Sequence, residues 1–196
     1  MTQFTVNYDM SYISLLGNKE NMSYEITGCE RDETYRYALF VETSCNSTNE
    51  LVVIQCNPSV ANEGQSDSTA GKVSVWAEEN GFSKIVFLNL FAFISPYPKD
   101  LIGKDYQFLV GPKNNKVLKH HINNDATVVL AWGGDIPIEK AMYYQRLNEI
   151  KEIMDKAGVE PYKVGALSNG THPRHGRGWN KGNRDLSKLS WSAIIA

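Results

Sequence analysis

Residues 51–59 read LVVIQCNPS. Leu51–Cys56 is a short apolar and β-branched run, the pattern of a strand, and it ends on Asn57-Pro58-Ser59. Pro58 fixes a turn there and biases Asn57 to extended backbone. The same arrangement recurs along the chain. Ile85–Asn89 is an apolar run followed by Leu90-Phe91, and Thr127–Ala131 (TVVLA) is stopped by Trp132-Gly133-Gly134. Tyr162–Leu167 reads as a further strand, with His172-Pro173-Arg174-His175 shortly after it. Upstream, Tyr35–Val41 reads as a strand, separated from Leu51–Cys56 by the polar turn Thr43–Glu50, a spacing that allows a hairpin.

Helical patterns fall between these runs. Ser68 or Thr69 can cap a helix that reaches Asn80 and ends at Gly81. Pro112–Ile122 is helical in pattern. Asp135 can cap a long helix with Pro137 in its first turn, an apolar face of Tyr143, Leu147, Ile150, Met154 and Ala157, and a stop at Gly158. Alternating strands and helices predict an α/β fold, a three-layer α/β/α arrangement around a mostly parallel central sheet. One catalytic domain is expected over residues 35–196, with a basic C-terminal loop. Residues 1–34 are expected to form an N-terminal arm or an edge element.

In such sheets ligands bind beyond the carboxyl ends of the strands. Four predicted strands lead into informative residues: Asn57-Pro58-Ser59, Asn89-Leu90-Phe91, Trp132-Gly133-Gly134 and the His172 segment. Each has an ordinary reading. Asn57-Pro58 can be a plain turn, Asn89 can bond its own backbone, Phe91 can be core, and the two glycines can be a tight turn. Four on one rim is the pattern of a working site.

Composition bounds the function. The chain has 196 residues, 42% of them hydrophobic and 21% charged, which suits one globular domain. No apolar run approaches the length of a membrane span. Residues 1–10 carry neither a basic nor an apolar signal region, so the expected location is cytoplasmic. Cys29, Cys45 and Cys56 are odd in number and lack metal spacing, which reads as free thiols. His172 and His175 stand three apart with no matching ligand nearby, so no metal is expected, and no phosphate-loop or dinucleotide motif calls for a cofactor. Net charge is −2, yet Lys163–Lys188 holds six basic residues and one acid, Asp185. That local excess suits phosphate contact, or else a solvated tail.

The order of these pieces is similar to the uracil-DNA glycosylase superfamily from about Leu51 to Gly178. Gln55-Cys56-Asn57-Pro58-Ser59 resembles its first catalytic motif, in the branch with Asn in place of Asp. Phe87-Leu88-Asn89 resembles the strand end whose amide reads the base. Leu130-Ala131-Trp132-Gly133 and His172-Pro173-Arg174-His175 resemble two further motifs, the latter without the serines of His-Pro-Ser-Pro. More closely, and over most of its length, the chain resembles a bacterial and phage family designated a domain of unknown function (sixteen-forty-three). That resemblance rests on Asn57-Pro58-Ser59-x-Ala61, Asp67-x-Thr69, Asn89-Leu90-Phe91-Ala92, Gly111-Pro112-x-Asn114, Ala131-Trp132-Gly133 and His172-Pro173-Arg174-His175. Its designation implies no activity.

The glycosylase resemblance implies a hydrolase that breaks the N-glycosidic bond of a base flipped out of DNA. Catalytic roles fall on Asn57 (water), Asp67 (charge or base) and His172 (donor to the leaving base). Base contacts fall on Ser59, Asn89, Phe91 and Trp132. DNA contacts fall on Arg174, His175, Arg177, Lys181 and Arg184, with Trp179 stacking or wedging into the gap. In the uracil-specific branch a Tyr walls off the base C5 position. Ser59 stands at the matching place, which implies room for a 5-substituted pyrimidine and a part in phage defence. A monomer is expected. The rival readings are a non-catalytic nucleotide or nucleic-acid binding module, and a hydrolase of free modified nucleosides or nucleotides.

Overall fold

In a computed structural model, which describes residues 24–58, 68–134 and 136–195, seven strands form one sheet. They are β1 (Tyr24–Arg31), β2 (Arg36–Thr43), β3 (Glu50–Gln55), β4 (Lys84–Asn89), β5 (Ala126–Leu130), β6 (Tyr162–Val164) and β7 (Leu186–Lys188). The order across the sheet is β1-β2-β4-β3-β5-β6-β7. The described residues also form four α-helices, α1 (Ser68–Glu79), α2 (Tyr106–Val110), α3 (Asn114–His121) and α4 (Lys140–Ala157).

The sheet is mixed rather than mostly parallel. The inner pairs β4/β3, β3/β5 and β5/β6 are parallel. The outer pairs β1/β2, β2/β4 and β6/β7 are antiparallel. The hairpin that the turn Thr43–Glu50 allows is not formed, because β4 lies between β2 and β3, pairing Leu39 with Phe87 on one side and Val53 with Phe87 on the other. The hairpin lies one strand earlier, between β1 and β2. Its turn is fixed by the Asp32 carboxylate, which accepts the backbone N–H groups of Thr34 and Tyr35 at 2.9 and 2.8 Å. Tyr24–Arg31, within the segment expected as an arm or edge element, is an edge strand among the described residues, with β7 at the opposite edge.

Strand residues alternate between two cores. Val52, Ile54, Val86, Leu88, Val128 and Leu130 face α2, α3 and α4. Leu51, Val53, Ile85, Phe87 and Val129 face α1 through Ala70, Val73, Trp76 and Ala77. Helices therefore flank both faces, and the central strands read as unbroken apolar runs because neither face meets water. Fully burying one such side chain stabilises the fold by about 1.5–3 kcal/mol.

Helix α1 matches its expected span to within a residue. Helix α4 begins at Lys140, after Glu139, rather than from an Asp135 cap. Asp135 itself lies outside the described residues. Pro137 disfavours helical backbone at Ile136, and the Ile138 N–H bonds the Ile136 carbonyl in a tight turn, delaying the helix. Its end is as expected: Gly158 takes the left-handed conformation at φ 68°. Helix α2 has no counterpart in the sequence reading. Asp105 caps it by accepting the N–H groups of Gln107 and Phe108. No helix among the described residues is long and apolar enough to cross a membrane.

Candidate functional site

The parallel strands β4, β3 and β5 end side by side, and their last residues are register partners: Gln55 with Asn89, Ile54 with Leu130. Chain leaving this edge is stitched together by backbone bonds. Leu90 and Phe91 donate to Gln55 and Cys56, and Ser95 donates to Pro58. Asn57 secures the same corner, its Nδ2 donating to the carbonyls of Pro58 and Ser95 at 3.2 and 3.1 Å. Both bonds use the amide nitrogen, which leaves the side-chain oxygen as the acceptor that Asn57 can offer. Asn89 is fully buried. Its Nδ2 points to the Arg36 carbonyl at 3.4 Å, and its own carbonyl and that of Leu90 each accept from Asn114 Nδ2 at 3.1 Å.

The His172 loop joins this rim at the end of β5. Ser168 and His172 exchange backbone bonds around Asn169-Gly170, both at positive φ, so the segment is a tight turn that presents His172. Gly133, at φ 80°, donates its N–H to the Pro173 carbonyl at 2.9 Å. The loop passes so close that a Cβ on Gly133 would stand 3.1 Å from His175 Cβ, and one on Gly134 3.5 Å from the His172 ring.

His172 is oriented from behind. Trp132 Nε1–H donates to the Tyr143 hydroxyl at 3.0 Å, and that hydroxyl lies 3.2 Å from His172 Nδ1. An indole N–H only donates, so the Tyr143 oxygen is the acceptor there and its own proton is available to Nδ1. Burial pushes the Tyr143 hydroxyl up to about 12, a rise that Tyr144 and Cys56 support and the Trp132 bond opposes, so the phenol keeps that proton at neutral pH. His172 Nδ1 is thus engaged with Tyr143, and Nε2 is its other ring nitrogen. Cys56 shares the neighbourhood, and burial pushes its thiol up to about 12, so it is no thiolate nucleophile.

Several expected contacts are corrected. Phe91 is wholly buried and packs edge-on to Tyr106, so it is core and offers no face to a base. Trp132 is buried too, with its indole N–H on the Tyr143 hydroxyl, so it offers no face to a base. Trp179 was expected to stack on or wedge into DNA. It is wholly buried against Trp76, centroids 4.9 Å apart, with Nε1–H on the Arg174 carbonyl. Arg174 braces its own loop, donating to the carbonyls of Asn183 and Lys181 at 2.8 and 2.6 Å. Arg184 pairs with Glu79 at 3.0 Å and lines a groove of about 580 Å³ with Trp76, Asn80, Asn183 and Asp185, none of which is a rim residue. His175 Nδ1 accepts the Arg177 N–H and so caps the short 3-10 turn Gly176–Gly178. Arg177 and Lys181 are exposed. Ser59 and Asp67 lie outside the described residues.

Nothing in the sequence gives a site role to Tyr143, Gln55, Asn114 or Arg146, although Gln55 and Asn114 fall within the motifs that carry the resemblances. Tyr143 counts as one more apolar position in the helical stripe. Only its place opposite Trp132-Gly133-Gly134 could have marked its hydroxyl as a partner for a histidine.

The model of the family described as Protein of unknown function (DUF1643) matches residues 36–176. No curated protein and no solved structure matches the chain. The matched span runs from β2 through Asn57, Asn89, Gly133 and His172 to Gly176, so it carries the rim and stops before Arg177, Trp179, Lys181 and Arg184. The resemblance read from the motifs is thus to the right family, and the chain belongs to DUF1643.

Proposed function

We propose that this chain is a DNA glycosylase with a uracil-DNA glycosylase-like site, hydrolysing the N-glycosidic bond of a base held at the β4-β3-β5 rim. The supporting observation is the Trp132–Tyr143–His172 chain, which holds the His172 imidazole by its Nδ1 where the His172 loop meets the end of β5, so that Nε2 is the nitrogen left to donate to a ligand. When the bond between C1′ and the base nitrogen breaks, its electron pair moves into the base and charge grows on a ring carbonyl. A preformed donor there lowers the barrier, because it binds the transition state better than the ground state. Water adds to C1′ with its oxygen and gives up a proton that neutralises the departing base. The Asn57 side-chain oxygen would orient that water, with Asp67 as its charged partner.

The experiment is direct. DNA, single- and double-stranded, carrying varied and 5-modified bases is incubated with the protein, treated with alkali and examined for breaks at abasic sites. Binding without breaks would leave a nucleotide or nucleic-acid binding module. A second reading has an observation in its favour. Arg174 and Arg184 are engaged in internal bonds, which leaves fewer cations of the segment Lys163–Lys188 for a duplex. Release of base from free nucleosides or nucleotides, but not from DNA, would select that hydrolase.

Two expected results separate the details. Reversing the exposed Arg177 and Lys181 to Glu should weaken binding to all DNA sequences alike and reduce the log–log salt slope by about 2. Arg174→Glu should lower thermal stability first, through its loop bonds. An unchanged salt slope removes these residues from the DNA surface. For base choice, we propose a 5-substituted pyrimidine, as in modified phage DNA. Ser59→Tyr should suppress cleavage of such a base far more than cleavage of uracil. Equal loss on both would show that Ser59 does not shape the pocket.

A further inference from the structure

Gln55 and Asn89 end β3 and β4 and are register partners in a parallel pair, so their side chains leave the sheet on one face, the face that α1 covers. Both are more than nine-tenths buried, at 7% and 1% exposure. Both carry an amide atom with no hydrogen-bond partner, Gln55 Nε2 and Asn89 Oδ1. Asn89 is oriented by its bond to the Arg36 carbonyl, so the atom it leaves unpaired is an acceptor. Gln55 leaves a donor. Buried polar atoms are ordinarily paired, and here a donor and an acceptor stand unpaired at register partners of neighbouring strands, which is what a ligand carrying the opposite pair would satisfy.

The position of that pair is informative. Above it passes the turn that follows His172. A Cβ on Gly176 would stand 3.8 Å from Gln55 Nε2 and only 2.7 Å from Val73 Cγ2 and 3.1 Å from Thr69 Cγ2. Glycine is therefore needed where the His172 loop closes over the Gln55 amide. Gln55 thus lies beneath the loop that carries the proposed donor to the leaving base.

We propose that Gln55 is a specificity-determining residue of the rim site. With Asn89 it reads the edge of a planar heterocycle that presents an N–H beside an acceptor. Asn89 Oδ1 takes the N–H, and Gln55 Nε2 donates to the acceptor. A lactam edge (uracil) and an amidine edge (cytosine) both have this pattern. The inference rests on the rim being a base-binding site, as proposed above, and is independent of bond cleavage.

Calorimetric titration of the whole chain with free uracil, free cytosine, and uracil methylated at the N–H between its carbonyls tests it. Saturable binding of uracil, cytosine or both is expected, and which of them binds identifies the edge. The methylated base should bind at least about tenfold more weakly than uracil if the lactam is the edge read. Gln55→Met and Gln55→Leu should each weaken binding of the preferred base by about tenfold or more, with the unliganded thermal midpoint unchanged or raised. A midpoint lowered by several degrees with affinity intact would make Gln55 a structural residue and overturn the proposal. So would equal affinity for uracil and its methylated form where uracil is the preferred base, or the absence of saturable binding for all three. The expected binding pattern without abasic sites in DNA would remove the hydrolase and keep this site. Cleavage whose base preference ignores Gln55→Met would do the reverse.

Discussion

Replacing Arg146 by alanine is expected to destabilise the protein by about 3–5 kcal/mol, the usual consequence of removing one partner from a buried ionic network. Arg146 lies in α4 with no exposed surface. Its Nε donates to the Leu90 carbonyl at 2.6 Å, and its Nη1 donates to Asn115 Oδ1 and Glu149 Oε2 at 2.6 and 2.7 Å. Asn114 completes the clamp on Asn89 and Leu90 from α3. A helix interior thus holds the end of β4, which carries Asn89. Alanine would remove the buried cation and leave Glu149 and Asn115 without it. Urea unfolding of the variant measures the effect, and a loss below about 1 kcal/mol would show that the network is dispensable.

The same network gives an acid signature. Burial alone would raise the Glu149 carboxyl, but the Tyr106 hydroxyl, the Arg146 guanidinium and the Asn115 amide outweigh it and hold it below the usual carboxylate range. A lowered folded pKa means that the stabilisation is complete above the unfolded carboxylate's pKa. It is lost as pH falls through the lower, folded value. Arg146→Ala should therefore flatten the acid limb of stability as well as lowering the plateau.

What the sequence disclosed, and what it hid, follows from which signals are local. The runs LVVI, IVFL and TVVL announce central strands because both faces are buried, and Gly158 announces the end of α4 because a left-handed stop favours glycine. Strand direction and order are set by long-range pairing. Nothing in the turn Thr43–Glu50 says that Phe87 will slip between Leu39 and Val53. Asn57, Asn89 and His172 were readable as strand-end polar groups. Phe91 and Trp179 misled because an aromatic residue beside a polar motif has the same local pattern in a core as on a ligand-facing wall, and only burial separates them. Arg174 and Arg184 misled for a related reason: charge counted along the chain takes no account of carbonyls and carboxylates reached across it.

His172→Ala should reduce the rate of base release by about 10²–10³, the effect of removing one donor to a developing oxyanion, while binding of uncleaved DNA changes little. The more searching variant is Tyr143→Phe. It keeps the His172 side chain and removes the hydroxyl that bonds Nδ1, so the imidazole loses the contact that orients it. The loss should be on the order of tenfold in rate, the net worth of one hydrogen bond, with substrate affinity retained. It also strips the buried Trp132 N–H of its acceptor, which should lower stability by about 1–3 kcal/mol. Single-turnover cleavage at saturating protein, alongside unfolding curves, separates the two effects. If Tyr143→Phe lowers stability but leaves the single-turnover rate untouched, the chain through Trp132 and Tyr143 is packing alone. If His172→Ala abolishes DNA binding and leaves the rate of bound substrate intact, His172 is a binding group and the donor to the leaving base must be sought elsewhere on the rim.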